Sequence, residues 1–290
     1  VVAALGGNAL LLRNEEAGAD VQRRHAAVAA RSIAKLAAGN DLVVTHGNGP
    51  QVGLLALQSA ADPSVLPLPL DVLDAETEGL IGYLLEQELT NALPGRSVAT
   101  LLTQVVVDLD DAAFTNPTKP IGPVYDAATA RRIAADRGWA MARDGDALRR
   151  VVPSPVPRDI VEIGTIRLLL AAGVIVVCVG GGGIPVVVDA EGALRGVEAV
   201  IDKDLASGLL AELLAADALL ILTDVDGVQR DFGTPGARRI PSASIAELRA
   251  MQFAPGSMRP KIAAACAFVE RTGGLAGIGR LDEATEVLAG

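Results

Sequence analysis

Short apolar runs closed by glycine alternate along this chain with longer stretches that are apolar on one side only. Residues 1–5 run into Gly6-Gly7-Asn8, and residues 42–45 run into His46-Gly47-Asn48-Gly49-Pro50. Between them, 20–38 places apolar residues on one helical face and Arg23, Arg24, Arg31 and Lys35 largely on the other, before Gly39-Asn40. A brief unbroken apolar run fits a strand buried on both faces, and a 3.6-residue period fits a helix lying across it. Strand, glycine turn and helix in repetition predict a parallel sheet covered by helices. A helix from about Gln51, a Pro-punctuated loop over 62–69, a longer helix over 72–93 and a buried strand over 97–107 continue the pattern.

From 108 to 150 the texture becomes polar, with Pro117, Pro120 and Pro123 near its start and the only Trp near its end. This reads as an excursion from the main sheet, a small flap. The proline-rich stretch 151–157 returns the chain as an extended strap, and Asp159 reads as the N-cap of a helix reaching 172. The second half repeats the grammar. A strand over 174–179 runs into Gly180, Gly181, Gly182 and Gly183, and 186–200 folds back on itself. Helix 204–215, strand 218–223 and the turn Asp224-Val225-Asp226-Gly227 come next, then helices over 244–251 and 258–271 and a short one from Asp282. The reading is α/β in two lobes, 1–170 and 171–290, with a protruding subdomain at about 108–152.

Composition narrows the partners. The 290 residues carry a formal charge of −10, which repels nucleic acid and anionic membrane at long range. No apolar run reaches the length of a membrane span. Cys178 and Cys266 lack metal-ligand spacing and read as buried thiols in a reducing cytoplasm. Of the 25 basic residues 21 are Arg, and the four lysines are Lys35, Lys119, Lys203 and Lys261.

Three glycine clusters placed directly after strands suggest a shared anion site, because glycine lets backbone amides approach an anion closely. Each one alone would be only a tight turn. There is no P-loop and no dinucleotide fingerprint, so phosphoryl chemistry would need its positive charge from lysines and Mg²⁺. Lys119 stands between prolines, Lys203 between Asp202 and Asp204, and Lys261 at a helix start, none of them a regular solvated face. Lys35 is on such a face and is assigned to solvent. His46 beside Gly-Asn-Gly fits either an acid/base or a hydrogen-bonded structural residue, and the structural role is favoured.

The segments ALGGNAL, THGNGPQVG, TQVVVD, NPTKPIGP, VVPSPVP, GGGGIPV, GVEAVIDKD, LLILTDVDGV and FAPGSMRPKI, in this order, resemble the carbamate kinases of the amino-acid kinase family. The resemblance implies a three-layer αβα fold with an open, mainly parallel sheet of about eight strands. It also implies a cytoplasmic homodimer that transfers a phosphoryl reversibly between ATP and carbamate with Mg²⁺, physiologically towards ATP from ADP and carbamoyl phosphate. Carried over by motif, Lys203 and Lys261 would contact the phosphates, Asp204 would orient them, and Lys119 would close from the flap. Gly6, Gly7, Asn8, Gly47, Asn48, Gly49 and Gly180 to Gly183 would cradle carbamate and phosphoryl. Thr223, Asp224, Val225, Pro255, Gly256 and Met258 would line the nucleotide pocket, and no protein metal ligand is expected. The DAETEG stretch at 74–79 departs from the family's AMTQG form, a difference placed at the dimer face. The short GLAGIG run after Arg271 suggests a trimmed sheet edge. Other amino-acid kinases place a lysine before the first glycine pair, where Ala4-Leu5 stands here. A non-catalytic carbamoyl-phosphate or nucleotide binder would have lost one of the phosphate lysines.

Overall fold

The first apolar run forms the strand Val2–Leu5, buried throughout, which pairs in parallel with Val43–His46 on one side and Ala218–Thr223 on the other. The computed structural model describes all residues except 8, 9, 12–14, 16, 17, 63, 65, 235, 252 and 254–257. The sheet has six strands, all parallel, in the order Leu275–Arg280, Ala218–Thr223, Val2–Leu5, Val43–His46, Ile175–Val177, Val98–Thr100.

Alternate residues of each strand face opposite layers, and the two cores follow that alternation. On one side Ala3, Leu5, Val44, Val177, Leu220 and Leu222 pack beneath the helices Ala19–Ala34 and Leu70–Ala92, through Ile33, Leu85 and Leu89 among others. On the other, Val2, Val43, Val176, Leu219 and Ile221 meet Ile166, Leu210 and Phe268 of the helices Ile163–Ala171, Lys203–Leu213 and Met258–Thr272. The expected αβα layering is therefore present. Lys35 is exposed as expected, and both cysteines are free and buried, with burial pushing the Cys178 thiol well up.

A second sheet has four strands, in the order Leu194–Gly196, Ile184–Val188, Gln104–Val106 and Asp159–Ile160. The single strand expected over 97–107 is two. At Leu101–Thr103 the chain leaves one sheet for the other, because the Thr103 amide donates to buried Glu78 Oε2 at 2.8 Å while its carbonyl accepts from Ile184. Asp159 caps no helix. Its residue pairs with Val106, and the helix begins at Ile163 after Glu162, whose carboxylate accepts the Gln104 amide at 2.7 Å and its side chain at 3.0 Å. Nor is the C-terminal edge trimmed. Leu275–Arg280 pairs along six residues, and a Cβ on its Gly277 or Gly279 would lie 2.5 Å from Val287 of the covering helix Ala284–Ala289. Glycine there is a packing requirement.

The polar excursion folds as a three-stranded antiparallel sheet, Lys119–Tyr125, Ala147–Val152 and Met141–Asp144, with the helix Ala127–Arg137 between its first two strands in sequence. Asp126 caps that helix and Gly138, at φ 67°, ends it in the left-handed region. Trp139 and Ile121 of this unit pack on Val52, Ala56 and Leu70 of the main body.

Candidate active site

The three glycine turns meet beyond the carboxyl ends of adjacent parallel strands. Gly6 N donates to Leu222 O at 2.9 Å and Gly47 N to Leu5 O at 3.0 Å, so each turn continues a strand ladder by one bond. A Cβ on Gly47 would lie 2.9 Å from Gly7 N, one on Gly181 would lie 2.2 Å from Asn48 Nδ2, and one on Gly182 would lie 2.6 Å from Ile201 O. Gly181, Gly182 and Gly183 follow one another at φ 69°, 111° and 88°. No other residue takes up that run without strain. Their contacts bring the first, second and third clusters to one place and set the third against the segment that starts the lysine helix.

That helix, Lys203–Leu213, is capped by Asp202, whose Oδ1 accepts the Asp204 amide at 2.9 Å. Lys203 and Asp204 hydrogen bond closely, and Lys261 Nζ donates to the other oxygen, Asp204 Oδ2, at 2.9 Å. All three side chains are buried. Burial pushes the Asp204 carboxyl up, but the two ammonium groups outweigh it and hold it below the ordinary carboxylate range. Burial lowers Lys203, with Asp204 opposing. Two lysines sharing one carboxylate leave the cluster one positive charge in excess, in a place where charge is costly unless matched. Lys119 Nζ donates to Asp202 Oδ2 at 2.5 Å, so the flap's lysine ends at the cap of the same helix. The three lysines expected at the phosphates, and the Asp204 expected to orient them, come together there. Asp202 both caps the helix and holds Lys119.

Below the glycines lies a buried polar layer that is less easily read from sequence. Asn48 Nδ2 donates to Asp74 Oδ1 and Thr77 Oγ1, both at 2.8 Å. His46 packs under Gly180, where a Cβ would lie 2.4 Å from its Cε1, and burial lowers its pKa to about 4. A neutral imidazole filling space under a turn is the structural role expected of it. Thr45 Oγ1 and Ser207 Oγ, 2.7 Å apart, tie the second strand to the lysine helix. The acidic stretch at 74–79 therefore faces the glycine turns: Asp74, Thr77 and Glu78 are each about 1 % exposed or less within the chain. The expectation that this departure belongs to the dimer face is corrected. A signal was available, since 70, 73, 74, 77, 78, 81 and 85 form one helical stripe and three of its positions are polar. A polar residue where the core stripe demands an apolar one is informative.

Burial pushes both the Asp74 and the Glu78 carboxyls well above the usual range. Asp74 Oδ2 has no hydrogen-bond partner, and Glu78 Oε1 sits near the Gly180 amide without a well-formed bond. The folded chain thus keeps protons that the unfolded chain releases above the ordinary values of 3.8 and 4.5. Stability due to each is complete below those values and falls as pH rises towards the raised folded value, by about 1.4 kcal/mol per pH unit for each group. Glu78→Gln removes one such proton and still accepts from Thr103. Its melting temperature, compared with wild type, is expected to be nearly equal at pH 4 and higher by several degrees at pH 8. A difference independent of pH would show that Glu78 is ionised in the fold.

Of the residues expected to line a nucleotide pocket, Thr223 ends the strand next to Val2–Leu5, and a Cβ on Gly6 would lie 3.8 Å from its Cα. Asp224 and Val225 follow in the turn, with Thr223 Oγ1 donating to Asp224 Oδ1 at 3.0 Å. Met258 begins the helix that carries Lys261, and packs with Phe253 against Val228, Ile262 and Cys266. Asn8, Pro255 and Gly256 lie outside the described residues. Among the described residues no three His, Cys, Asp or Glu side chains cluster as metal ligands.

The family model for the amino acid kinase family matches residues 1–276. A carbamate kinase of Haemophilus influenzae is 53% identical over 291 residues, covering 100% of this chain and 94% of the relative. One of Pyrococcus furiosus is 45% identical over 303 residues, covering 100% and 96%. Among solved structures, carbamate kinase from Giardia lamblia bound to citric acid superposes with a TM-score of 0.93 at 42% identity, covering 99% of this chain and 94% of that one. The same enzyme bound to AMP-PNP gives 0.90 at 42% identity, covering 100% and 95%.

Proposed function

The chain belongs to the carbamate kinases of the amino acid kinase family, enzymes that move a phosphoryl group between ATP and carbamate, and from that membership we propose the roles of its residues. The observation that carries the reading is the buried excess charge: Lys203 and Lys261 on the single carboxylate of Asp204. Phosphoryl transfer asks chiefly for positioning and for neutralisation of charge on the equatorial oxygens. An incoming phosphoryl would complete the unmatched cluster, and Asp204 would keep both ammonium groups aimed. The amides of Gly6, Gly7, Gly47, Gly49 and Gly180 to Gly183, together with Asn48, would hold carbamate and the phosphoryl oxygens. Asn8 would do so by motif. Lys119, anchored on Asp202, would add its charge from the flap.

The nucleotide would lie over Thr223, Asp224, Val225 and Met258, with Pro255 and Gly256 by motif; the Giardia relative's binding of AMP-PNP supports an ATP site. Mg²⁺ fits as a companion of the nucleotide. The described residues offer it no cage, and this ion is commonly held by phosphates with one or two carboxylates at most. When bound it supplies charge neutralisation between the phosphates. We place the enzyme in the cytoplasm as a homodimer; no described helix is long and apolar enough to cross a membrane. Exposed Val72, Leu80 and Tyr83 on the Leu70–Ala92 helix are the kind of stripe a second copy would cover.

The test is a coupled assay in which the purified protein, ADP, carbamoyl phosphate and Mg²⁺ are expected to yield ATP. Folded protein that forms no ATP under these conditions would refute the assigned site. Sedimentation of the same sample is expected to give twice the chain mass.

A further inference from the structure

Trp139, the only tryptophan of the chain, carries two guanidinium groups over its ring, with Arg150 Cζ at 3.9 Å and Arg137 Cζ at 5.1 Å from the centroid. Each contact is favourable by itself. Together they set two like charges side by side, and neither guanidinium has a hydrogen bond or ion pair to any described residue. Arg137 Nη1 is shut off from solvent and has no partner. Adjacent Arg149 shows the contrast, since its side chain reaches Gly122 O at 2.6 Å and Asp144 at 3.1 Å. Burial lowers the Arg150 pKa; Glu198 and Tyr125 oppose this, and Arg137 lowers it further. A donor fork left unused beside a second cation is an unfilled requirement for an anion.

The arginines border a cleft of about 330 Å³ between the flap and the main body, lined also by buried Ala56 and by exposed Leu66 and Leu68. That volume is at the lower end for small-molecule sites. Three carboxylates also line it, and each is engaged elsewhere. Asp62 accepts from the Ser64 amide and hydroxyl, Asp136 pairs with Arg132 at 3.5 Å, and Glu198 accepts the Leu70 amide at 3.1 Å. None lies within ion-pair distance of Arg137 or Arg150. The site is apart from the lysine cluster but mechanically joined to it. Arg150 stands opposite Ile121 in the flap sheet, two residues along the strand from Lys119.

We propose that this cleft is a second oxyanion site, which takes a small ligand with a phosphate or carboxylate group between Arg137 and Arg150. The ligand's apolar part would lie along Leu66 and Leu68. Occupancy would match both charges and fasten the flap sheet to the body near Lys119.

The lone tryptophan is its own reporter. Titrating the full-length protein with inorganic phosphate, and separately with succinate, is expected to give a saturable change in Trp139 fluorescence with at least one of them. A response to phosphate alone assigns a phosphate ligand, and one to succinate alone a carboxylate. Arg137→Gln and Arg150→Gln are each expected to raise the half-saturation by about tenfold or more, the worth of a charge-assisted fork. Should either fail to fold, Arg137→Lys and Arg150→Lys keep the charge and lose the planar fork, and the same direction of shift is expected. The response is expected to persist in Lys203→Ala, which keeps it distinct from the phosphoryl site. No saturable response to either anion overturns the proposal. So does a midpoint unchanged by the arginine substitutions, or a response abolished by Lys203→Ala.

Discussion

Lys261→Ala is expected to lower kcat by about a hundredfold or more, in the range seen when a preorganised charge-stabilising group is removed, with a smaller effect on folding stability than removal of the carboxylate it shares with Lys203. The reason lies in the charge count of the cluster. Lys203, Lys261 and Asp204 together carry one excess positive charge in a buried place. Without Lys261 the remaining pair is neutral, and a phosphoryl transferred at the proposed site would meet no net charge there. The same holds for Lys203→Ala. Stability should fall little, since burial and the neighbouring Lys261 already work against the charged form of Lys203, while Asp204, which both ammonium groups stabilise, keeps one of them. Asp204→Ala is the contrasting case: it leaves two buried ammonium groups unmatched, at a cost of about 3–5 kcal/mol. Rate and melting temperature measured on all three variants separate a chemical role from a structural one. A rate near wild type in Lys261→Ala or Lys203→Ala would reject the role assigned to that lysine.

These lysines were legible in the sequence because they broke a local rule. A chain that otherwise uses arginine kept lysine at 119, 203 and 261, away from regular helix faces. The strands were legible for the opposite reason, since 218–223 and 43–46 are apolar throughout and nothing else suits such runs than the middle of a parallel sheet. What periodicity could not show was partnership across the sequence. The run at 97–107 is apolar enough for one strand, and only Glu78, about 25 residues upstream, takes the Thr103 amide and turns the chain into a second sheet. Asp159 has the composition of a cap, yet Glu162 is the carboxylate that holds the neighbouring strand. The acidic stretch at 74–79 was visible as a departure, but the direction it faces depends on which side of the Leu70–Ala92 helix meets Asn48. Gly53 belongs to no phosphate-binding motif, and the reason for a glycine there is across the fold.

That reason supports the last expectation, a catalytic loss from a methyl group that touches no substrate. A Cβ on Gly53 would lie 1.9 Å from Gly122 Cα and 2.0 Å from Gly122 N. Carbon atoms in contact prefer about 3.5–4.0 Å, and both clashing partners are backbone, so no rotamer relieves the overlap. The Gly49–Ser59 helix is pinned through Val52 and Ala56 to the body's core, which leaves the flap strand Lys119–Tyr125 to give way. Gly122 itself sits at φ 71°, beside an irregularity in the sheet between Ile121 and Val124, three residues from Lys119. A displacement on the order of 1 Å at a positioning group can cost about a hundredfold in rate. Gly53→Ala is therefore expected to reduce kcat about as much as Lys119→Ala, with nucleotide affinity unchanged because the Lys203–Asp204–Lys261 cluster is untouched. The double variant decides whether the two act through one element. If Gly53 works by seating Lys119, the combined loss equals either single loss; if the losses multiply, the crossing of the two glycines does something other than place that lysine.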